Sequence, residues 1–188
     1  MRWRPGVWVE AQGLSACERR HLPLWIWEEL WEIELDGDIV ARAHKLRASR
    51  ARLSRPVETW SPDTAKACAR ECARSAAAHA AGPLRDAGFA DAAAVFADAA
   101  DLDAVRQLTE ELGEDLSPEL RHPVGMASDA AETALDATAS DDPYVAVKGG
   151  AECAYISAMT AARVHGAGGY ESERDQQADW LSAKLELG

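Results

Sequence analysis

The sequence predicts an all-α fold: a single compact alanine-rich bundle of about six to eight helices around a buried helix near 143–165. Three observations predict it. Alanine, the strongest helix former and nearly without bulk, fills segments such as Ala65 to Ala81, so helices can approach closely. Ser61-Pro62, Ser117-Pro118 and Asp142-Pro143 each place a capping oxygen before a proline at the first helical position, where a missing N–H costs nothing. The 143–165 segment carries Lys148, Glu152 and Arg163 as its only acids and bases apart from the terminal His165, and a helix apolar nearly all round is a buried one.

Along the chain, residues 1–13 read as an N-terminal extension in which Gly6-Val7-Trp8-Val9 is briefly extended. Helices are expected near 15–35 (bent or opened at Pro23), 38–53 (capped by Asp38), 62–81, 89–100, 102–112, 123–139, 143–165 and 170–187. Gly82-Pro83, Gly113 and the Gly166–Gly169 stretch mark ends. Gly149-Gly150 weakens the helix it lies in, which implies another backbone or a ligand crossing closely there. No strand and no internal repeat is expected.

The 188 residues suit one domain, 1–188, with enough chain to bury a core unaided. Cys17, Cys68, Cys72 and Cys153 are too few and too scattered for a disulfide scaffold, which places the chain in a reducing cytoplasm. No apolar run approaches a membrane span and the start lacks a leader-like apolar region. Only Lys45, Lys66, Lys148 and Lys184 among the 20 bases are lysine, a usage suggesting a high-GC bacterial genome. The net charge is −12, and it is uneven. Glu28 to Asp38 is acidic, Arg42 to Arg55 holds Arg42, Lys45, Arg47, Arg50, Arg52 and Arg55 with no acid, and the later stretches Asp98–Glu119 and Asp129–Asp142 are again strongly acidic. Such a field disfavours nucleic acid and steers a basic partner.

Several side chains are candidates for function. Glu152 has Val145, Gly149, Ile156 and Met159 as helical neighbours, so it either pairs locally with Lys148 or faces the interior, where Arg50 and His79 would meet it. Arg50 continues the stripe Ile39, Ala43, Leu46, Leu53 and either snorkels to water or lines a pocket for an anionic group. Were the protein an enzyme, Glu152 and His79 would serve as general base in cofactor-free lyase or cyclase chemistry, with Arg50 on the anion. Trp27 and Trp31, sharing a helical face, and Tyr155 are the aromatic candidates for ligand contact; core packing is the competing reading. Cys68, Cys72 and His79 share one helical face but supply too few ligands for zinc, so no metal and no cofactor is expected.

Ala16-Cys17 with Leu22-Pro23-Leu24-Trp25, the helix ending His79-Ala80-Ala81-Gly82, and Glu173-Arg174-x-x-Gln177 with Leu181 resemble a family of immunity proteins of actinobacteria. Only Asp38 and Arg42 stand where that family carries a longer charged stretch. The resemblance implies neutralisation of a toxin or antibiotic made by the same cell, and carries over no catalytic residue. The expectation is a non-enzymatic immunity or accessory protein that binds a partner protein, a toxin or a heteromeric subunit. The alternative is a small-molecule protein of secondary metabolism, a resistance binder or a subunit of a ring-closing or eliminating enzyme acting on an anionic substrate. A homodimer fits either.

Overall fold

The computed structural model describes residues 5–10 and 15–187. The fold is mostly helical but not all-α. Strands β1 (Val9–Glu10), β2 (Trp31–Asp36), β3 (Val40–Arg42), β4 (Lys45–Arg47) and β5 (Arg50–Pro56), with a 3₁₀ turn at Arg19–Leu24, precede helices α1 (Pro62–Asp86), α2 (Ala90–Asp98), α3 (Leu102–Leu112), α4 (Pro118–Ala139), α5 (Pro143–His165) and α6 (Ala167–Leu185); a second 3₁₀ turn, Gly113–Asp115, links α3 to α4. No helix among the described residues is long and apolar enough to cross a membrane.

The helices expected at 15–35 and 38–53 are corrected to a 3₁₀ turn and two antiparallel sheets, ordered β1-β5-β2 and β3-β4. The physical reason is a period of two. Trp31, Ile33 and Leu35 are half-buried on one face of β2, and Glu32, Glu34 and Asp36 alternate with them. Register places those acids opposite Arg55, Arg52 and Arg50, with a bulge between Glu32 and Ile33. The resulting ladder reads Glu32–Arg55 at 2.6 Å, Glu34–Arg52 at 2.5 Å and Asp36–Arg50 at 2.8 Å. Half of the acids of 28–38 and half of the bases of 42–55 are therefore the two sides of one strand pair, the bases Arg42, Lys45 and Arg47 falling on β3 and β4. Part of the N-terminal extension also joins in: Val9 pairs with Ala51, and the guanidinium carbons of Arg50 and Arg52 lie 5.2 and 5.1 Å from the centre of the Trp8 ring.

From Ser61 onward most of the expected helix signals hold, but Ser117 makes no side-chain cap bond, and α6 starts at Ala167, taking in Gly168 and Gly169, expected to lie outside it. Ser61 Oγ accepts from the Thr64 N–H, Asp101 from Asp103 and Ala104, and Asp142 from Tyr144, capping α1, α3 and α5. α1 continues past Gly82-Pro83 to Asp86, because the extra turn buries Leu84 completely. α4 begins at Pro118, five residues before the expected start, and accommodates Pro123.

α1, α4 and α5 form the core, with α6 on one flank of α5 and α2 and α3 on the far side. As the charge-free pattern predicts, α5 is central; Ala146, Gly149, Gly150, Cys153, Ala154, Ala158 and Ala161 are buried. The glycine pair does mark a crossing: a Cβ on Gly150 would stand 3.1 Å from the Ala65 carbonyl oxygen of α1, and one on Gly149 would collide with Ala137 of α4. Phe96, Leu84, Leu181, Val105 and Val124 fill the remaining interior.

Ala154 and Ala158 are fully buried at these contacts. Replacing either by leucine is expected to lower stability by about 1–3 kcal/mol, read from urea denaturation. An unchanged midpoint for both would remove α5 from the centre.

Candidate functional site

Two places concentrate chemistry. The first is the segment from Trp25 to Trp31, which leaves the 3₁₀ turn as a link into β2. Lacking helical geometry, it sends Trp25 and Trp31 into one cleft of about 730 Å³, lined also by Leu30, Ile33, Leu53 and Val57, with Cys17 at its wall. Burial pushes the Cys17 thiol up to about 11, so it is protonated and unreactive at neutral pH. Trp27 lies against Tyr144, ring centres 6.1 Å apart and nearly perpendicular. Beside that pair, Glu28, Trp60, Asp142 and Tyr144 line a second hollow of about 330 Å³. The ridge is fixed by indole hydrogen bonds: Trp60 Nε1 donates to the Trp27 carbonyl (2.6 Å) and Trp25 Nε1 to the His44 carbonyl (3.0 Å). Trp27 and Tyr144 nevertheless remain 54% and 44% exposed.

The second place is a buried carboxylate on α6. Glu173 is 2% exposed and accepts four hydrogen bonds. Oε1 receives Ser157 Oγ of α5 at 2.5 Å and Gln177 Nε2 at 2.9 Å. Oε2 receives Ser75 Oγ at 2.8 Å and lies 3.1 Å from His79 Nε2, both from α1. Burial raises the carboxyl pKa, but the bonds from His79, Ser157, Ser75 and Gln177 together outweigh it and leave Glu173 below the usual carboxylate range. The chain extends both ways. His79 Nδ1 stands 3.2 Å from Nε2 of the exposed His165, and Gln177 Oε1 accepts from buried Arg174, which reaches toward the Pro23 carbonyl. With its hydrogen-bonding capacity filled and its charge retained, Glu173 joins three helices and has no lone pair left to act as a base. A cavity of about 120 Å³ beside it, walled by Cys68, Cys72 and Trp180, is far below the volume of a substrate site, about 300 Å³ or more.

The sequence-predicted residues separate accordingly. Glu152 is corrected: its side chain is 49% exposed and meets Lys148 at 3.4 Å, the local pair, because it falls on the outer arc of α5. Arg50 is corrected as well: it belongs to an exposed strand rung with Asp36, far from any α5 contact. Tyr155 is 56% exposed on the same outer arc. Trp27 and Trp31 are corrected too: they lie on no common helical face, because residues 25–30 form an irregular link that bends at Glu28, with Trp31 in the cleft wall and Trp27 against Tyr144. His79 does meet a buried carboxylate, but that of Glu173. Cys68 and Cys72 are buried and unpaired; their mutual contact, then burial, holds the Cys72 thiol high. Among the described residues no group of three or more metal-ligating side chains lies together. A signal for Glu173 was present: Arg174, Gln177, Leu181 and Leu185 form a buried helical stripe in which two polar residues take core positions.

Comparison with family models, curated proteins and solved structures finds no match to this chain.

Because Glu173 ionises more readily in the fold than in an open chain, its contribution is complete above the ordinary carboxylate pKa and is lost as pH falls through the lowered value. Glu173→Gln is expected to cost about 1–3 kcal/mol at pH 7, by leaving donors without an acceptor, and to shrink the loss of stability in acid. Denaturation at pH 7 and pH 3.5 checks both; an unchanged acid limb would show that the carboxylate is not the group responsible.

Proposed function

We propose that this protein is a non-enzymatic immunity or accessory protein that binds a partner protein through the Trp27–Tyr144 surface. The observation that carries the reading is the exposure of these two rings, locked in edge-to-face contact on a fixed ridge and bordered by Glu28 and Asp142. Rigid aromatics with apolar bodies are favoured anchors at protein interfaces, and the acids beside them suit a basic surface. The acidic balance of the helical region extends that attraction beyond the contact itself. The convergent polar groups of the interior support a binding rather than a catalytic role, since Glu173, His79, Ser75 and Ser157 are engaged with one another.

A second reading, a small-molecule binder of secondary metabolism, is favoured by one observation: the 730 Å³ cleft at Trp25 and Trp31 falls within the size range of ligand sites. There the polar lining would be Arg19 and Arg55, the latter held by Glu32, and not Arg50 or Glu152.

Trp27→Ala and Tyr144→Ala are each expected to weaken capture of the partner by about 2 kcal/mol, about thirtyfold in Kd, with the melting temperature retained. Binding should also decline between low and moderate salt. Quantitative pull-down from the native host checks this; a partner held equally by both variants places the interface elsewhere.

A further inference from the structure

We propose that His79 and His165 form an open two-histidine site for a divalent transition ion of the zinc or copper type, with Glu173 as the carboxylate that orients His79. His79 Nδ1 of α1 and His165 Nε2 of α5 lie 3.2 Å apart, in rings inclined by 68°. Two nitrogens bound at about 2.0–2.1 Å to one tetrahedral ion lie about 3.3 Å from each other, so an ion can replace the shared proton when each ring turns by about 35° off the nitrogen–nitrogen line.

The tautomer is set for this. Glu173 Oε2 lies 3.1 Å from His79 Nε2, and as an acceptor it places the ring proton on Nε2 and leaves the lone pair on Nδ1. A metal-bound imidazole characteristically donates its other N–H to a carboxylate, which fixes the ring and raises its basicity. Here that carboxylate is itself immobilised by Ser75, Ser157 and Gln177. Imidazole nitrogen selects zinc, copper or nickel over calcium and magnesium. No third histidine, cysteine or carboxylate joins the two rings among the described residues, so water completes the coordination and the affinity is modest. His165 is exposed at the end of α5, beside Gly166, and leaves that side open to solvent. Binding would tie α1 to the α5–α6 corner.

His21 and His44 provide an internal comparison. Their rings are as close, 5.0 Å between centres and inclined by 70°, yet among the described residues no carboxylate is hydrogen-bonded to either.

The test is calorimetric titration of the metal-stripped full chain with zinc chloride, with melting temperature as a second readout. One ion per chain and a zinc-dependent rise in Tm are expected. His165→Ala should weaken binding by more than about a hundredfold, beyond what loss of an orienting partner alone costs, and should abolish the rise in Tm, while His44→Ala leaves both intact. In the wild-type chain, substoichiometric copper should broaden the imidazole NMR signals of His79 and His165 first. Equal zinc affinity in the His165→Ala variant, loss in the His44→Ala variant, or no binding to the wild-type chain would each overturn the site.

Discussion

The close approach of α1, α4 and α5 governs the rest of the molecule. Gly150 lies over the Ala65 carbonyl and Gly149 against Ala137, distances that no larger side chain allows. Alanine faces such as Ala69, Ala73, Ala76 and Ala77 on α1 and Ala130, Ala131 and Ala134 on α4 continue that contact. Helices packed this tightly gain dispersion contact along their backbones and enclose little space. Bulk is confined to residues such as Phe96 and Leu84, and the 730 Å³ cleft lies outside the helical core, against the β-structure.

Where α6 joins the bundle, polar chemistry replaces alanine. Glu173 holds α1 through Ser75 and His79 and α5 through Ser157, while the adjacent Arg174 and Gln177 reach the Pro23 and Ala154 carbonyls. A buried charge is tolerated only when its hydrogen bonds are complete, and here they are. That completeness argues against acid–base work at Glu173 and directs attention to the outer edge of the network, where His165 meets solvent. The same fold thus combines an inert interior with two outward-facing features, the aromatic ridge and the histidine pair.

The aromatic ridge depends on the β-structure at the N-terminal end. The three-rung ladder of Glu32–Arg55, Glu34–Arg52 and Asp36–Arg50 fixes β2 against β5, and the link entering β2 turns Trp27 away from the cleft that Trp25 and Trp31 line. On a helix Trp27 and Trp31 would have faced the same side. The bent link instead puts Trp25 and Trp31 in one cleft and leaves Trp27 free to meet Tyr144 from α5.

Local chemistry was enough to specify much of the helical part. Ser61-Pro62, Asp101 and Asp142-Pro143 set helix starts through contacts within a few residues. The missing charge of 143–165 marked the central helix, and Gly149-Gly150 marked the crossing. Trp31–Asp36 and Arg50–Pro56 carried a period of two, but their stability comes from partners 14 to 23 residues away, as in the Asp36–Arg50 and Glu32–Arg55 pairs. A helical stripe through Ile39, Ala43, Leu46 and Leu53 fitted the same letters, and only pairing decided between them. The identity of the buried carboxylate was likewise a tertiary matter. Glu152 has mostly apolar helical neighbours and Glu173 has Gly169, Tyr170, Gln176 and Gln177, yet Glu152 occupies the arc of α5 left uncovered, whereas Glu173 turns toward the junction of α1 and α5. Helical periodicity gives the angle between residues; which angle is covered depends on where the other helices lie.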